Sequence, residues 1–150
     1  MAEETFEKKL RKLPSDAVDL ETFYEIVYMD DDDSHAYSAE IVYGFFSQAE
    51  ESFKEIDEAL KQKELGVIVK TAKFLEGSSQ TLGLSKVTDG LLKIQDDCNK
   101  QIEDGNEELD SFLERIMKAL KSVKADYSVV KGAFKEVYDI EDDEEDDEDN

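Results

Sequence analysis

The sequence has no tryptophan, one proline and one cysteine, Cys98. A single cysteine excludes a disulfide within the chain and a thiolate metal cluster. No apolar run approaches the roughly 18 residues that a bilayer-spanning helix needs, and no basic-then-apolar signal segment is visible at the N-terminus. The sequence therefore predicts a cytoplasmic or nuclear protein without a cofactor, a structural metal or a membrane span.

Positive charge is also scarce, because 18 lysines and arginines stand against 40 aspartates and glutamates, for a formal charge of −22. Nine consecutive acids run from Glu141 to Asp149, and leaving them out still gives −13. Nucleic acids and anionic membranes are bound by basic surfaces, so neither is an expected partner. An acidic segment without an apolar face has nothing to bury, so we expect residues 140–150 to be a disordered tail.

The remaining sequence is charge-rich and poor in glycine, which is typical of helical bundles. Apolar residues recur at three- and four-residue steps, the spacing of one face of a helix. This pattern predicts long helices over about 36–62, 65–82, 85–102 and 107–139. A shorter helix is expected over about 19–29, with Asp19 as its N-cap.

Four apolar stripes joined by short connections pack best as an antiparallel four-helix bundle, so the predicted class is all-α. The short helix would lie across one end of the bundle. The heptads of 107–139 also suit a dimeric coiled coil, but three other stripes need the same partner, and we expect a monomer. The expected division is a charged segment over 1–16, either a short helix or a tail that orders on contact, a bundle over 17–139, and the tail.

Four aspartates, Asp30 to Asp33, end the short helix. Carboxylates oppose the helix dipole at a C-terminus, so a solvated turn is expected here. A calcium loop would need alternating ligands and a glycine turn, and both are missing, so no metal site is predicted. His35, the only histidine, is expected on the surface beside this turn. Ser34 or Ser38 is expected to cap the next helix.

One helical stretch carries a glycine that its own helix does not favour. A glycine inside a helix costs about 1 kcal/mol relative to alanine, so Gly77 indicates that another molecule approaches closely. The core stripe passes through Ala72, and Lys73 lies about 100° round the helix from it, facing solvent. Glu76, Gly77 and Gln80 continue the exposed row of Lys73.

The same stretch resembles a known signature. Lys-Phe-Leu-Glu-Gly-Ser-Ser-Gln-Thr-Leu-Gly, from Lys73 to Gly83, is similar to the His-x-Leu-Lys-Gly-Ser-Ser-x-x-Leu-Gly motif of histidine-containing phosphotransfer (HPt) proteins. The Met-Asp-Asp-Asp-Asp-Ser run at Met29 and the step Ser47-Gln48-Ala49 also resemble small stand-alone fungal phosphorelay proteins. The resemblance covers about 19–137.

The resemblance implies a helical bundle that passes phosphoryl groups between receiver domains of response regulators. Lys73 occupies the position of the phospho-accepting histidine, Glu76 that of a charge-neutralising lysine, and Gln95 that of a glutamine that orients the histidine. The receiver docking residues that it implies are Ile26, Met29, Ile41, Phe74 and Gly77. Ile26 and Ile41 suit ordinary helix packing equally well, whereas Phe74 lies off the core stripe, which favours a partner surface.

Phosphoryl transfer needs a nucleophile with a free lone pair near neutral pH. An imidazole, with a pKa of about 6.5, offers one, and a lysine side chain in water, with a pKa of about 10.4, does not. We therefore predict a pseudo-phosphotransfer protein that binds receivers without phosphotransfer activity. Two alternatives are a genuine phosphotransfer intermediate in which lysine was introduced deliberately, and an acidic helical adaptor or chaperone that keeps only the fold.

Overall fold

A computed structural model describes residues 4–138, and these residues form six α-helices. Their bounds are α1 Phe6–Arg11, α2 Leu20–Val27, α3 Ala36–Gln62, α4 Leu65–Thr81, α5 Ser85–Asp104 and α6 Leu109–Val137. α4 packs between α3 and α5, and α6 packs against α5 and α3. The predicted all-α antiparallel four-helix bundle is confirmed. The predicted acidic tail lies outside the described residues.

The core is made by the four predicted apolar stripes, which meet along the bundle axis. Large side chains from every long helix are fully buried, among them Ile56, Ile68, Leu75, Leu91, Ile94, Phe112 and Ile116. Ile102 and Leu109 belong to the predicted apolar stripes by their spacing but are not buried. Ile102 is 53% exposed and Leu109 is 37% exposed. Both lie beside the α5–α6 connection at one end of the bundle, where the helices no longer cover each other on all sides.

The turn between α4 and α5 holds α2 across the opposite end. Gly83 has a φ of +78°, and a Cβ added there would lie 2.7 Å from the carbonyl oxygen of Asp19. The Asp19 amide donates to the Gly83 carbonyl at 2.7 Å, and the Asp19 carboxylate accepts the Thr22 amide as the predicted N-cap. A side chain at position 83 would therefore separate α2 from the bundle.

The N-terminal segment is helical and packs on the bundle. α1 contacts α6, and Leu10 is completely buried while Leu13 is 7% exposed. Beside it, Phe23 of α2 packs against Phe134 of α6, with ring centroids 4.9 Å apart. Of the two predicted forms of 1–16, the described part has the helical one, and it extends the core at the α2 end.

The acidic turn differs from its prediction, because the Asp30 side chain is only 4% exposed. Its carboxylate accepts the Ser38 amide at 2.7 Å and the Ser38 hydroxyl at 2.8 Å, and His35 Nδ1 lies 2.9 Å away. Asp30 therefore caps α3 from the preceding turn. The predicted cap at Ser38 is wrong, since Ser38 itself donates to the capping carboxylate of Asp30. Ser34 Oγ accepts the Ala36 amide at 3.3 Å.

His35 also differs from the predicted surface residue. Its side chain is 24% exposed, and its ring stacks on Phe6 of α1 with centroids 3.7 Å apart and planes 8° from parallel. The residue adopts a left-handed backbone, with φ 56°, which turns the chain into α3 and directs the ring toward α1. A histidine tolerates this conformation better than most residues.

A chain of hydrogen bonds continues from this turn to the end of α6. The Tyr138 hydroxyl donates to Ser38 Oγ at 2.8 Å, and Ser38 in turn donates to Asp30. Burial raises the pKa of Tyr138 to about 12. Burial also opposes ionisation of Asp30, yet the hydrogen bonds from His35 and Ser38 outweigh it and hold the pKa of that carboxyl below its usual value.

A matched pair of glycines tests the packing of α5 on α6. A Cβ at Gly90 would lie 2.6 Å from Val123 Cγ2, whereas a Cβ at Gly132 would meet nothing within 4 Å. Overpacking against a stiff β-branched side chain costs about 1–3 kcal/mol, and alanine gains about 1 kcal/mol of helix propensity. We expect Gly90→Ala to lower the free energy of unfolding by about 1 kcal/mol and Gly132→Ala to raise it by about 1 kcal/mol. Urea denaturation of both variants measures this, and equal shifts of the same sign would contradict the packing.

Candidate functional site

The candidate site is the face of α4 that the core does not cover. Ala72, Leu75 and Ser79 are completely buried, and this orientation leaves Lys73 and Phe74 on the outside, with Phe74 59% exposed. Gly77 and Gln80 are exposed further along the same helix, and Glu76 is half-buried. The structure therefore brings Lys73, Phe74, Glu76, Gly77 and Gln80 together on one helix surface.

Glu76 and Lys73 do not neutralise each other directly. They are three residues apart on α4, a spacing that permits an ion pair, but within residues 4–138 no carboxylate lies within 4 Å of the Lys73 ammonium. The ammonium group is consequently free to meet an incoming anion. The Glu76 carboxylate, one turn along, would meet the same anion with the opposite sign.

Gly77 is not required by any contact inside the described chain. A Cβ added at this residue would find no heavy atom within 4 Å, and its helical backbone does not need a glycine. Alanine would therefore stabilise α4 by about 1 kcal/mol. The space above Gly77 is open on the side of Lys73, which fits the expected approach of a second molecule.

The two serines of the stretch have structural contacts. Ser79 Oγ donates to the Glu76 carbonyl at 2.9 Å and lies 2.8 Å from Thr88 Oγ1 of α5. Ser78 Oγ lies 3.5 Å from the Phe74 carbonyl. No general base among the described side chains contacts either hydroxyl, so neither serine is an activated nucleophile.

Gln95 of α5 is buried, and one of its polar atoms has no hydrogen-bond partner among the described residues. The Ser79–Thr88 contact fixes the antiparallel register of α4 and α5. Seven residues, about two helical turns, separate Gln95 from Thr88 and Ala72 from Ser79, so Gln95 is level with Ala72 and its neighbour Lys73. Gln95 is 8% exposed, and its buried Nε2 has no hydrogen-bond partner among the described residues.

A lysine at position 73 offers this amide nitrogen no acceptor. An amide Nε2 can only donate, and an ammonium group can only donate as well, so the two cannot pair. An imidazole nitrogen would accept. A buried donor without a partner costs about 1–3 kcal/mol, so an acceptor within reach of Gln95 Nε2 would be favoured over a lysine.

The other predicted docking residues are spread over the α2 end. Met29 is 60% exposed, but Ile26 is only 8% exposed and belongs to the core. Ile41 is half-buried and packs against the core. The Thr71–Glu55 contact sets the register of α3 and α4. It places Ile41 about 12 residues, or roughly 18 Å, along the bundle from the level of Lys73.

Tyr28 is an exposed aromatic residue at this end that the sequence patterns did not indicate. It is 78% exposed and stacks on Tyr24, with ring centroids 5.7 Å apart. Together with Met29 it forms an apolar patch just after α2. Its exposure could have been inferred from its position directly before Met29, because both residues follow Ile26, the last buried residue of α2.

Other kinds of site receive no support from the described residues. Within 4–138 the structure contains no group of three or more potential metal ligands. None of the described helices combines the length and the hydrophobicity that a bilayer span requires.

Comparison with known proteins finds similarity to phosphorelay proteins. No family model matches the chain. The chain is 47% identical over 79 residues to the Candida albicans phosphorelay intermediate protein YPD1, and 40% identical over 67 residues to the Schizosaccharomyces pombe multistep phosphorelay regulator 1. These matches cover 52% and 45% of the chain but only 42% and 23% of the relatives, so the chain spans less than half the length of the curated relatives it matches.

Solved structures extend the similarity to the whole bundle. The crystal structure of yeast Ypd1p superimposes with a TM-score of 0.73 at 24% identity, covering 86% of this chain and 98% of that one. Saccharomyces cerevisiae Ypd1 in complex with the receiver domain of its downstream response regulator Ssk1 gives 0.75 at 25% identity, covering 86% and 99%. The chain is therefore similar to phosphorelay intermediates in sequence and to histidine phosphotransfer proteins in fold. In this bundle, α4 is the helix that carries Lys73 and most of the stretch resembling the HPt signature.

A double-mutant cycle tests the fit between Gln95 and position 73. Gln95→Met removes the buried donor, so we expect it to raise the free energy of unfolding by about 1 kcal/mol. In a Lys73→His background the donor gains an acceptor, and the same change should bring no gain or a loss, a coupling of about 1 kcal/mol. Chemical denaturation of the four proteins measures the coupling. Gln80→Met, at an exposed glutamine of α4, is the control and should be neutral in both backgrounds. Additive effects at Gln95 would mean that its amide does not face position 73.

Proposed function

We propose that this HPt protein docks receiver domains of response regulators and does not itself accept a phosphoryl group. The proposal rests on the side chains that α4 presents to solvent. It presents an exposed aromatic residue, an open glycine and a lysine where the signature has its histidine. At the same level of the bundle, the buried Nε2 of Gln95 has no hydrogen-bond partner among the described residues.

Docking is supported by the surface around Phe74 and Gly77. Phe74 is a large apolar side chain, 59% exposed, beside a helical glycine with open space above its backbone. A partner could cover the ring and approach the α4 backbone at the glycine, which an ordinary side chain would prevent. A structural relative with the same fold was crystallised with a response-regulator receiver domain, and we transfer that class of partner to this chain as part of the proposal.

The absence of phosphotransfer rests on the chemistry of Lys73. In transfer from a receiver, the phosphorus–oxygen bond of an aspartyl phosphate breaks as a new bond forms to the acceptor nitrogen, and the aspartate leaves as a carboxylate. The acceptor must supply a lone pair, which a protonated ammonium lacks.

Glu76 adds a second obstacle to transfer. The signature has a lysine at this position, one turn from the acceptor. Here a half-buried carboxylate would lie near the phosphoryl oxygens in the transition state, where positive charge is needed. The protein would therefore occupy a receiver without discharging it, and would compete with a phosphate-accepting HPt protein for the same surface.

A relay-competent form with histidine at position 73 is the second candidate. The unpaired Nε2 of Gln95 favours it, because the buried amide fits an imidazole acceptor. Under this alternative the pocket behind Lys73 is a working site that lacks only its nucleophile. The two candidates share the docking surface and differ in what a single substitution would restore.

The docking surface is tested with a matched pair of glycine substitutions. Gly77→Gln fills the open space on α4 and should weaken binding to a receiver domain about tenfold, or about 1.4 kcal/mol, while the bundle stays folded. Gly132→Gln makes the same change at an exposed glycine of α6, a helix that lies diagonally across the bundle from α4, and should leave affinity unchanged. Calorimetric titration against a panel of receiver domains gives both constants. Equal affinity for the two variants would place the interface elsewhere.

The chemistry is tested by rebuilding the acceptor. With a phosphorylated receiver supplied, the unaltered protein should gain no acid-labile phosphate. Lys73→His should gain it slowly, and adding Glu76→Lys should accelerate transfer, because repulsion of the phosphoryl group becomes attraction, a change of about 1–3 kcal/mol for a partly exposed contact. Radiolabel transfer followed by acid treatment measures this. Phosphate on any side chain of the unaltered protein would refute the proposal, and an inert double variant that still binds receivers would favour the adaptor alternative.

A further inference from the structure

Basic residues are concentrated on one part of α6 although the chain as a whole is strongly acidic. Between Arg115 and Ala125 there are four bases and no acid. On the outer surface of this stretch, Lys118 and Lys121 are exposed. This surface belongs to the helix that lies diagonally across the bundle from α4, so it is separate from the face that carries Lys73.

A groove accompanies these bases along the line where α6 meets α3. It has a volume of about 430 Å³ and is lined by Asp57, Leu60, Lys61, Met117, Leu120, Lys121 and Lys124. Met117 is 54% exposed, while the Leu60 and Leu120 side chains form a mostly buried floor. One acid lies among three bases, and Lys124 already neutralises it at 2.8 Å.

Two lysines of this groove have no ionic partner in the described part of the chain. Lys61 and Lys121 lie within 4 Å of no carboxylate of residues 4–138, and the same is true of neighbouring Lys118. Many other bases are already matched. Lys63 pairs with Asp110, Lys86 with Asp16, and Lys131 with Glu50. The groove therefore presents an unneutralised positive charge.

A strongly acidic segment follows α6 in the sequence. α6 ends at Val137, and nine consecutive acids begin at Glu141. Lys121 lies about 26 Å back along α6 from Tyr138, at 1.5 Å per residue. The 11 residues that follow Tyr138, up to Asp149, can extend to about 36 Å, at 3.3 Å per residue. The acidic segment is thus long enough to fold back beside Lys121 and Lys118.

We infer that the acidic C-terminal segment, Glu141 to Asp149, folds back along α6 and docks on the lysine-bordered groove between α3 and α6. Its carboxylates neutralise Lys61, Lys118 and Lys121. The short tether keeps the local concentration of the segment near the millimolar range, so weak contacts suffice to occupy the groove. The association is electrostatic, and salt that shortens the screening length weakens it.

In the experiment, the full chain carries the substitution Asn150→Cys, and a nitroxide label is attached to this cysteine, directly after the acidic segment. Cys98 does not compete for the label, because it is completely buried and burial raises the pKa of its thiol to about 11. The readout is paramagnetic broadening of backbone amides. At about 20 mM salt the strongest broadening outside the end of α6 should fall on the groove, around Met117 to Lys121. At about 500 mM salt it should disappear, because the screening length shrinks severalfold.

Two matched variants test the assignment to the groove. The triple change Lys61→Gln, Lys118→Gln and Lys121→Gln should reduce the docked-to-free ratio about tenfold, the sum of three modest ion pairs. The control triple, Lys70→Gln, Lys93→Gln and Lys100→Gln, makes the same charge change at exposed lysines of α4 and α5 and should leave the broadening at the groove in place.

Other results would overturn the inference. Broadening confined to the last turn of α6, broadening centred on the α4 face, or an equal response to the two triples would each mean that the groove does not hold the segment. A fourth arm mixes labelled chains with unlabelled isotope-enriched chains. Broadening of the enriched chains at the groove would show that the segment of a second copy occupies it, which also contradicts the intramolecular arrangement.

Discussion

Burial of one narrow stripe of residues on α4 determines which side chains of this helix face solvent. Ala72, Leu75 and Ser79 are all completely enclosed, and the 100° step of a helix then leaves Lys73 and Phe74 outside. The Ser79–Thr88 contact at 2.8 Å fixes α4 against α5, so the helix cannot rotate to hide either residue. The residue at position 73 can therefore change without disturbing the fold, because the core does not contact it.

The helical spacing was sufficient to predict the bundle, since four strong apolar stripes leave one economical way to pack. The exposed side of α4 also followed from spacing, because Lys73 is adjacent to a core residue. Asp30 and His35 could not be predicted in the same way. His35 stacks on Phe6, which lies 29 residues earlier in α1. Asp30 bonds Ser38 across the turn into α3, and a run of aspartates gives no local sign that one of them is buried.

The predicted docking residues also divide into those whose exposure follows from helical spacing and those whose burial does not. Phe74 and Met29 are exposed, as positions off the core stripes should be. Ile26 is in the core because α2 lies across the bundle end and buries the side that faces α6 and α3, which depends on the angle of a short helix rather than on its sequence. Gln95 is the residue whose environment most exceeds what a sequence can indicate. Only the packed structure reveals that its Nε2 is enclosed and has no hydrogen-bond partner among the described residues.

The hydrogen-bond chain from Asp30 through Ser38 to Tyr138 has a consequence for how the molecule folds and opens. Ser38 and Tyr138 are 100 residues apart in the chain, so their contact closes a very large loop and can form only after α6 has found α3. The hairpin of α4 and α5 involves only neighbouring segments and can form early. We expect the end that contains α1, α2 and the Asp30 turn to assemble after this hairpin, because it depends on contacts between distant parts of the chain. Local opening at this end would expose Phe6 and Phe23 while leaving the surface around Lys73 intact.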